Sequence, residues 1–575
     1  MKSKKLLTIL LSAIITASSI SSVYAAGPVG IKSKYQPKTT TIFWEKGKQN
    51  NKKSATNIDS EQFNNFEEIN QFFQQNISKF GLKKGSLKST KALKDEKGKT
   101  HYHTIYQVDG IPVYYGRIVF TTEKDSTISS INGGVDISFE NENWKNKIKL
   151  SKSDAIAKAK NNIKYEELHD SKADLYLYNF EGKPYVVYLV DLSTDTGDWN
   201  IFVNAEDGSI VNKFNITPTL TNTRDKKFTS TKKTNTKVNK SNNVVDVQGN
   251  TIKGKGKSSL NGIVDIDLTY KDGKYYLKNS NKNIYVYDLN NKYVNTFTTP
   301  RSSILKASKL VENNSSEFID DKHIIAVDTY INLEKTYDYY KNKFNRNSID
   351  NKVMNVEAFI HYGENYAGAE WSEDLGSMLL GDGDGKDTSH MSKALDVVGH
   401  EFSHGVTHKE SNLKYENESG ALNESFSDIM GIAIKGTNFK LGEDCWKPNT
   451  EEAGIRDMQD PSKKYQPAHM KDYRALRLHE DNGGVHLNSG IINHAAYLIA
   501  DGIEKLGVEN SKDIMAKLFY TANCYEWDET TNFSKCRNDL IKVTKDLYGE
   551  NSKYVQIVEN AFDKVGITAT PQLPL

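Results

Sequence analysis

Cysteine is scarce in this chain: Cys445, Cys524 and Cys536 are the only three among 575 residues. Three thiols cannot build the disulfide framework that staples small secreted folds, so stability must rest on packing and bound ions. Cys524 and Cys536 can pair in an oxidising setting or stand as free buried thiols, and the odd count leaves both open. Excess charge is missing too. With 76 basic and 74 acidic side chains the net charge is +2, which gives no reason to expect a nucleic-acid or acidic partner. Long apolar runs are absent beyond the amino terminus, where no segment approaches the roughly 18 consecutive residues of a membrane-spanning helix. The terminus itself differs. Lys2, Lys4 and Lys5 precede an apolar run from Leu6 to about Ile20, and Val23-Tyr24-Ala25 offers small residues at a cleavage position. That is the layout of a signal peptide over residues 1–25. The run is short and broken by Ser12, Ser18 and Ser19, which argues against an anchor. The expectation is an exported, extracellular protein with no membrane attachment once the signal is removed.

A chain of this length exceeds one core and should divide into about three or four units. From about Gly27 to Asn215 strand-like and helical runs alternate. Ile105 to Val108 and Ile111 to Tyr115 flank an Asp109-Gly110 turn, Ser151 to Ile163 reads as a capped helix, and Tyr185 to Leu192 and Trp199 to Val203 read as strands. Two small α+β modules, residues 26–135 and 136–216, are predicted. Between Thr217 and about Ser259 the composition turns to Thr, Asn, Ser and Lys, which cannot bury enough surface to fold. Residues 217–246 read as a processing linker between a removable pro-segment and a mature enzyme. Past it, residues 247–397 are mostly strand-like around one helix near Val327 to Phe344, and residues 398–575 are mostly helical. The fold class expected is α+β, with a β-rich lobe, an α-helical lobe and a cleft between them.

At the lobe boundary stands His400-Glu401-Phe402-Ser403-His404. Two imidazoles four residues apart share one helix face, with a carboxylate beside them. Zinc held by neutral imidazoles acidifies water, and an adjacent carboxylate can move the proton to a leaving amine, which implies amide hydrolysis. His408 shares the helix face, but eight residues of rise place it about 12 Å from His400 along the axis, beyond a common ion. The better third ligand is Glu424 in Asn423-Glu424-Ser425-Phe426-Ser427-Asp428, leaving the open position of a catalytic site. One turn on, Asp428 can accept the second ring N–H of a liganding histidine. A protonated His486 oriented by Asp481 would stabilise negative charge developing opposite the metal.

These motifs, in this order, resemble the thermolysin family of neutral zinc metalloproteases from about Val247 to Gly566. The resemblance implies a two-lobed zincin domain with zinc on His400, His404 and Glu424, and Glu401 as general base. It also implies Tyr415 and His486 as oxyanion donors and Arg456 as the group holding a substrate carbonyl. Val397, Leu441 and Ile455 would line an apolar pocket for the residue after the scissile bond. Ala369 and Trp371, in Ala367-Gly368-Ala369-Glu370-Trp371, would lie on the edge that binds extended protein and peptide substrates, although Gly368 replaces a usual asparagine. The pro-region resembles the family's propeptide modules, implying an intramolecular inhibitor and folding chaperone.

One departure concerns calcium. Lys435 stands where the family has a carboxylate bridging two calcium ions; Asp396 and Glu443 remain, so the double site should be reduced or lost, with Lys435 pairing to Asp396 in its place. Two other readings have less support. A non-catalytic binding protein would show a broken catalytic set, and here every expected position is filled. A zinc aminopeptidase would need a carboxylate for a terminal amine, for which Glu370 in the edge segment is the one candidate.

Overall fold

The computed structural model describes residues 39–46, 60–165, 168–180, 182–194, 197–215, 220–221, 249–294, 296, 299, 301–447, 453–478 and 480–568. The signal-peptide reading and most of the linker lie outside these residues.

The two predicted pro-modules share one nine-stranded sheet. Its first part pairs Thr39–Glu45 with Ile128–Asp136, and Ile128–Asp136 with Ile111–Thr122. Its second part is the meander Leu168–Phe180, Lys183–Thr194, Gly197–Asn204 and Ile210–Asn215. A single parallel register, Val113 opposite Leu177, joins the halves. One apolar cluster around Phe73, Tyr106 and Ile131 takes in Leu177, Val186 and Ala205 of the second part, which has a further cluster around Ala155, Val190 and Ile201. The predicted helix is Lys152–Lys160; Ser151 and Asp154 close a reciprocal capping box that satisfies two orphan N–H groups.

The Lys/Thr-rich composition underestimates order at its far end. Asn250–Ser258 is a strand, paired along its whole length with Gly262–Lys271. Cross-strand pairing satisfies its backbone, and Gly254 and Gly256 admit the neighbouring Leu268 and Val327 side chains. Within the predicted linker, Leu220–Thr221 pairs antiparallel with Gly368–Ser372.

The β-rich half holds a five-stranded sheet and a seven-stranded sheet, in which Leu220–Thr221, Gly368–Ser372, Ser377–Leu380, Val356–Ile360 and Ile284–Asp288 lie side by side. The helix Ile324–Phe344 packs beneath, and one apolar cluster runs from these sheets into the helical half. The helix Leu395–Lys409 begins before the predicted lobe boundary at 397/398 and carries the chain across it. It lies against Asn417–Lys435 at very close range: a Cβ on Gly399 would meet Ile434 Cδ1 at 2.8 Å, and one on Gly431 would meet the Asp396 carbonyl oxygen at 2.4 Å. That backbone proximity lets a carboxylate on the second helix reach histidines on the first. All three cysteines are buried and free.

Candidate zinc centre and catalytic cleft

Four residues of helix separate His400 from His404, and their rings stand edge to face with Nε2 atoms 2.9 Å apart. Glu424 places Oε1 3.4 Å from His404 Nε2 and Oε2 3.7 Å from His400 Nε2. Donors bound tetrahedrally about 2 Å from zinc stand roughly 3.3 Å apart, so these three buried groups fit zinc without rearrangement. Among the described residues they form the one cluster of this kind. His408, half-buried at the end of the helix, is not part of it.

The outer ring nitrogens are committed elsewhere. His400 Nδ1 lies 2.8 Å from Asp428 Oδ1, and His404 Nδ1 lies 2.8 Å from Asn423 Oδ1. Each contact fixes a tautomer that presents Nε2 to the metal. Asp428 is itself held, accepting from Asn493 Nδ2 at 2.8 Å and Arg456 Nη1 at 2.5 Å. Burial, then the neighbouring His404, pushes His400 down to about 4, which favours the neutral form a ligand needs.

Glu401 is fully buried, and among the described residues neither carboxylate oxygen has a hydrogen-bond partner. An unpartnered buried carboxylate is costly unless a substrate, water or ion completes it. Burial raises it to about 8, against the opposing pull of His404. Across the site the Tyr415 hydroxyl bonds to Glu424 and lies 3.0 Å from His486 Nε2. Left-handed residues Asn482, Gly483 and Gly484 break the helix at its start. Asp481 thereby folds back onto His486, bonding its Nδ1 and accepting its backbone N–H at 3.0 Å. Burial works against the His486 imidazolium, but Glu424 and Asp481 outweigh it and carry the ring to about 9.

Arg456 sits on a short strand, Arg456–Asp457, antiparallel to Lys440–Leu441. Besides Asp428 it donates from Nη2 to Glu424 Oε2 at 2.9 Å, so it braces the ligand helix with two of its donors. Leu441 and Ile455 meet there through the Ile455 N–H to Leu441 carbonyl bond at 2.7 Å, and Val397 is buried three residues before His400. Ala369 and Trp371 lie on Gly368–Ser372, between Leu220–Thr221 and Ser377–Leu380, and the Trp371 ring belongs to the core, packed over Gly405. At the far end of the ligand helix, Lys435 Nζ lies 3.2 Å from Asp396, 3.4 Å from Asp444 and 3.8 Å from Glu443.

Sequence reasoning missed Asn423 and Asp444. Asn423 adjoins a ligand, a visible signal; Asp444 is marked only by folding.

Fold and site together define a zinc metallopeptidase. The model described as "Thermolysin metallopeptidase, catalytic domain" matches residues 253–408, and "Thermolysin metallopeptidase, alpha-helical domain" matches 411–567. "Fungalysin/Thermolysin Propeptide Motif" covers 85–135 and "Peptidase propeptide and YPEB domain" covers 149–214. A bacillolysin of Bacillus cereus is 35% identical over 478 residues, 80% of this chain and 81% of the relative. Neutral protease B of Bacillus subtilis is 30% identical over 584 residues, 97% of this chain and 98% of the relative. A thermolysin of Alicyclobacillus acidocaldarius is 32% identical over 496 residues, 82% of this chain and 84% of the relative. The chain belongs to the thermolysin family, and is a thermolysin-like metalloendopeptidase preceded by propeptide domains.

Proposed function

We propose that this chain is an exported precursor whose mature part cleaves peptide bonds on the amino side of bulky apolar residues, with the roles distributed as follows. His400, His404 and Glu424 hold zinc, which supplies a Lewis acid that polarises a carbonyl and acidifies water. Glu401 accepts the proton of the attacking water and passes it to the departing amine. Tyr415 and the imidazolium of His486 donate hydrogen bonds to the oxyanion that develops on the substrate. Asp481, Asp428 and Asn423 hold the rings in position. Arg456 braces Glu424 while retaining donors for a substrate carbonyl, and Val397, Leu441 and Ile455 receive the apolar side chain. No helix among the described residues is long and apolar enough to cross a membrane.

The observation that carries the reading is the buried, unpartnered Glu401 beside three convergent ligand atoms. Inhibition by the pro-region is supported by its seat on the helical lobe, where Tyr115 Oη donates to Glu416 at 2.6 Å, Arg117 to Glu529 at 2.6 Å and Lys99 to Asp546 at 2.7 Å. It is supported also by Leu220–Thr221 lying on the edge strand that a substrate would use. Lys435 replaces a calcium with its own ammonium. The test compares mature enzyme with Glu401→Gln on blocked and free-amine peptides. Cleavage should fall by about 10²- to 10⁴-fold with zinc content unchanged, and equal cleavage by the two proteins would sink the assignment.

A further inference from the structure

Glu370 is a buried acid without a cation. Its neighbour Glu357 receives Arg301 Nη2 at 2.6 Å, and Asp396 receives Lys435. Glu370, only 6% exposed, has no lysine, arginine or histidine beside it among the described residues, and meets only tyrosine hydroxyls, Tyr366 Oη at 3.4 Å among them. Burial raises it to about 7 against those hydrogen bonds. Hydroxyl donors meet its oxygens without neutralising its charge, so a cation from outside the chain would be favoured there.

Three tyrosines stand around it: Tyr362 and Tyr366 donate hydroxyls to it, and Tyr293 lies within electrostatic reach. Tyr293 stacks on Tyr362 with centroids 5.2 Å apart, and Tyr362 meets Tyr366 edge to face at 5.2 Å. Tyr293 is 66% exposed, so the cluster opens to solvent. The backbone is shaped for it. A Cβ on Gly368 would lie 2.8 Å from Tyr366 Cζ, and one on Gly381 would lie 2.1 Å from the Tyr366 carbonyl oxygen and 2.7 Å from its Cδ1. Any other residue at 368 would push the Tyr366 ring away, which gives a physical reason for the glycine there.

The cluster adjoins the reaction centre, because Glu401 lies within electrostatic reach of both Glu370 and Tyr366. It is also on the substrate edge. Leu220 pairs with Ala369 and Thr221 with Gly368, antiparallel, so a chain laid on this edge presents its amino-terminal side toward Glu370. A carboxylate met only by tyrosine hydroxyls selects an ammonium or guanidinium and repels an anion.

We propose that Glu370, with Tyr293, Tyr362 and Tyr366 around it, is a specificity-determining residue that receives a substrate cation on the amino-terminal side of the scissile bond. That cation is either a Lys or Arg side chain or the free amino terminus of a short peptide. The proposal rests on the reading above that extended substrate lies on this edge beside Glu401.

The test uses mature, zinc-loaded enzyme and quenched peptides with one fixed apolar residue after the bond. Before it stand Lys, Arg, their neutral isosteres norleucine and citrulline, or Glu, each with an acetylated or a free amino terminus. The readout is the ratio of kcat/KM between cationic and neutral partners within one enzyme, so a general loss of activity cancels. A desolvated, charge-assisted contact predicts a ratio of roughly tenfold or more. It should fall to about one in Glu370→Gln and several-fold in Tyr293→Ala, whose ring is exposed enough to remove without unfolding. A preference for Lys over norleucine and Arg over citrulline in acetylated peptides identifies the side chain, and a preference for free over acetylated termini in the norleucine and citrulline peptides identifies the amine. A ratio near one in the parent enzyme, or one that persists in Glu370→Gln, overturns the proposal. In that event, cleavage of the neutral peptide that disappears in Glu401→Gln leaves the proposed function standing, whereas no cleavage at all removes that as well.

Discussion

Replacing Lys435 by methionine should destabilise the enzyme in a manner that depends on pH. Lys435 is 8% exposed in its side chain and faces the fully buried Asp396, whose Oδ2 it approaches to 3.2 Å. Among the described residues Asp396 Oδ1 has no hydrogen-bond partner, and Oδ2 also accepts the Gly442 N–H at 3.1 Å. Burial raises Asp396 to about 6 even with Lys435 opposing it. Without the ammonium two routes are open. Leaving the carboxylate ionised and unpaired costs about 3–5 kcal/mol. Protonating it costs about 1.4 kcal/mol for each pH unit above the parent's midpoint, or about 1 kcal/mol at pH 7 and about 3 kcal/mol at pH 8. Protonation is cheaper throughout this range. An acid whose pKa is higher folded than unfolded holds its proton more tightly in the folded state, so its contribution to stability falls as pH rises. The deficit of Lys435→Met is thus near zero at pH 5 and grows above pH 6. At about 2 °C per kcal/mol for a large domain, the melting temperature should drop by about 2 °C at pH 7 and about 6 °C at pH 8. Scanning calorimetry of parent and variant at pH 5, 7 and 8 measures it. Lys435→Glu, which offers a further carboxylate beside Asp396, Glu443 and Asp444, should make the melting temperature rise with added calcium. An equal deficit at pH 5 and pH 8 would refute the argument, as would a sharp loss of parent stability on calcium-selective chelation with zinc retained.

Two further outcomes are expected. Asn423→Ala, which frees His404 Nδ1 from its 2.8 Å acceptor, should weaken zinc binding by about 10- to 100-fold in chelator competition; an unchanged affinity would remove Asn423 from the metal's support. His101 of the pro-region is 1% exposed and sits 3.1 Å from Glu526 and 3.3 Å from Asp95, stacked on Tyr525. Burial opposes its protonation, but Glu526 and Asp95 prevail over it and over the nearby Lys542, and raise its pKa. A base whose pKa is raised at an interface contributes below that pKa and loses its contribution as pH rises through it. Pro-region removal in the full precursor, followed by gel densitometry, should therefore quicken roughly tenfold from pH 6 to pH 8, and His101→Asn should flatten that profile.

Much of the site was legible in the sequence because its first elements are local. The spacing of His400 and His404 fixes their shared face wherever the helix forms, and Glu401 follows from adjacency. The helix over Ile324–Phe344 was readable from periodicity for the same reason. Strand order in the Lys-rich Asn250–Ser258 was not, since its partner strand and not its composition makes it a strand.

The sequence by itself determined the first elements of the chemistry: a pair of imidazoles and an adjacent carboxylate at spacings set by the geometry of one helix. Tertiary structure alone decided what surrounds them. It brings Glu424 across to the histidines through the close approach at Gly399 and Gly431. It gathers Asp396, Glu443 and Asp444 around one ammonium, brings the Tyr362 and Tyr366 hydroxyls to Glu370, and lays Leu220 against Ala369. The physical reason is range. A helix fixes neighbours three and four residues apart from local hydrogen bonds, whereas charges and rings far apart in the chain meet only once the packed core has set the backbone that carries them.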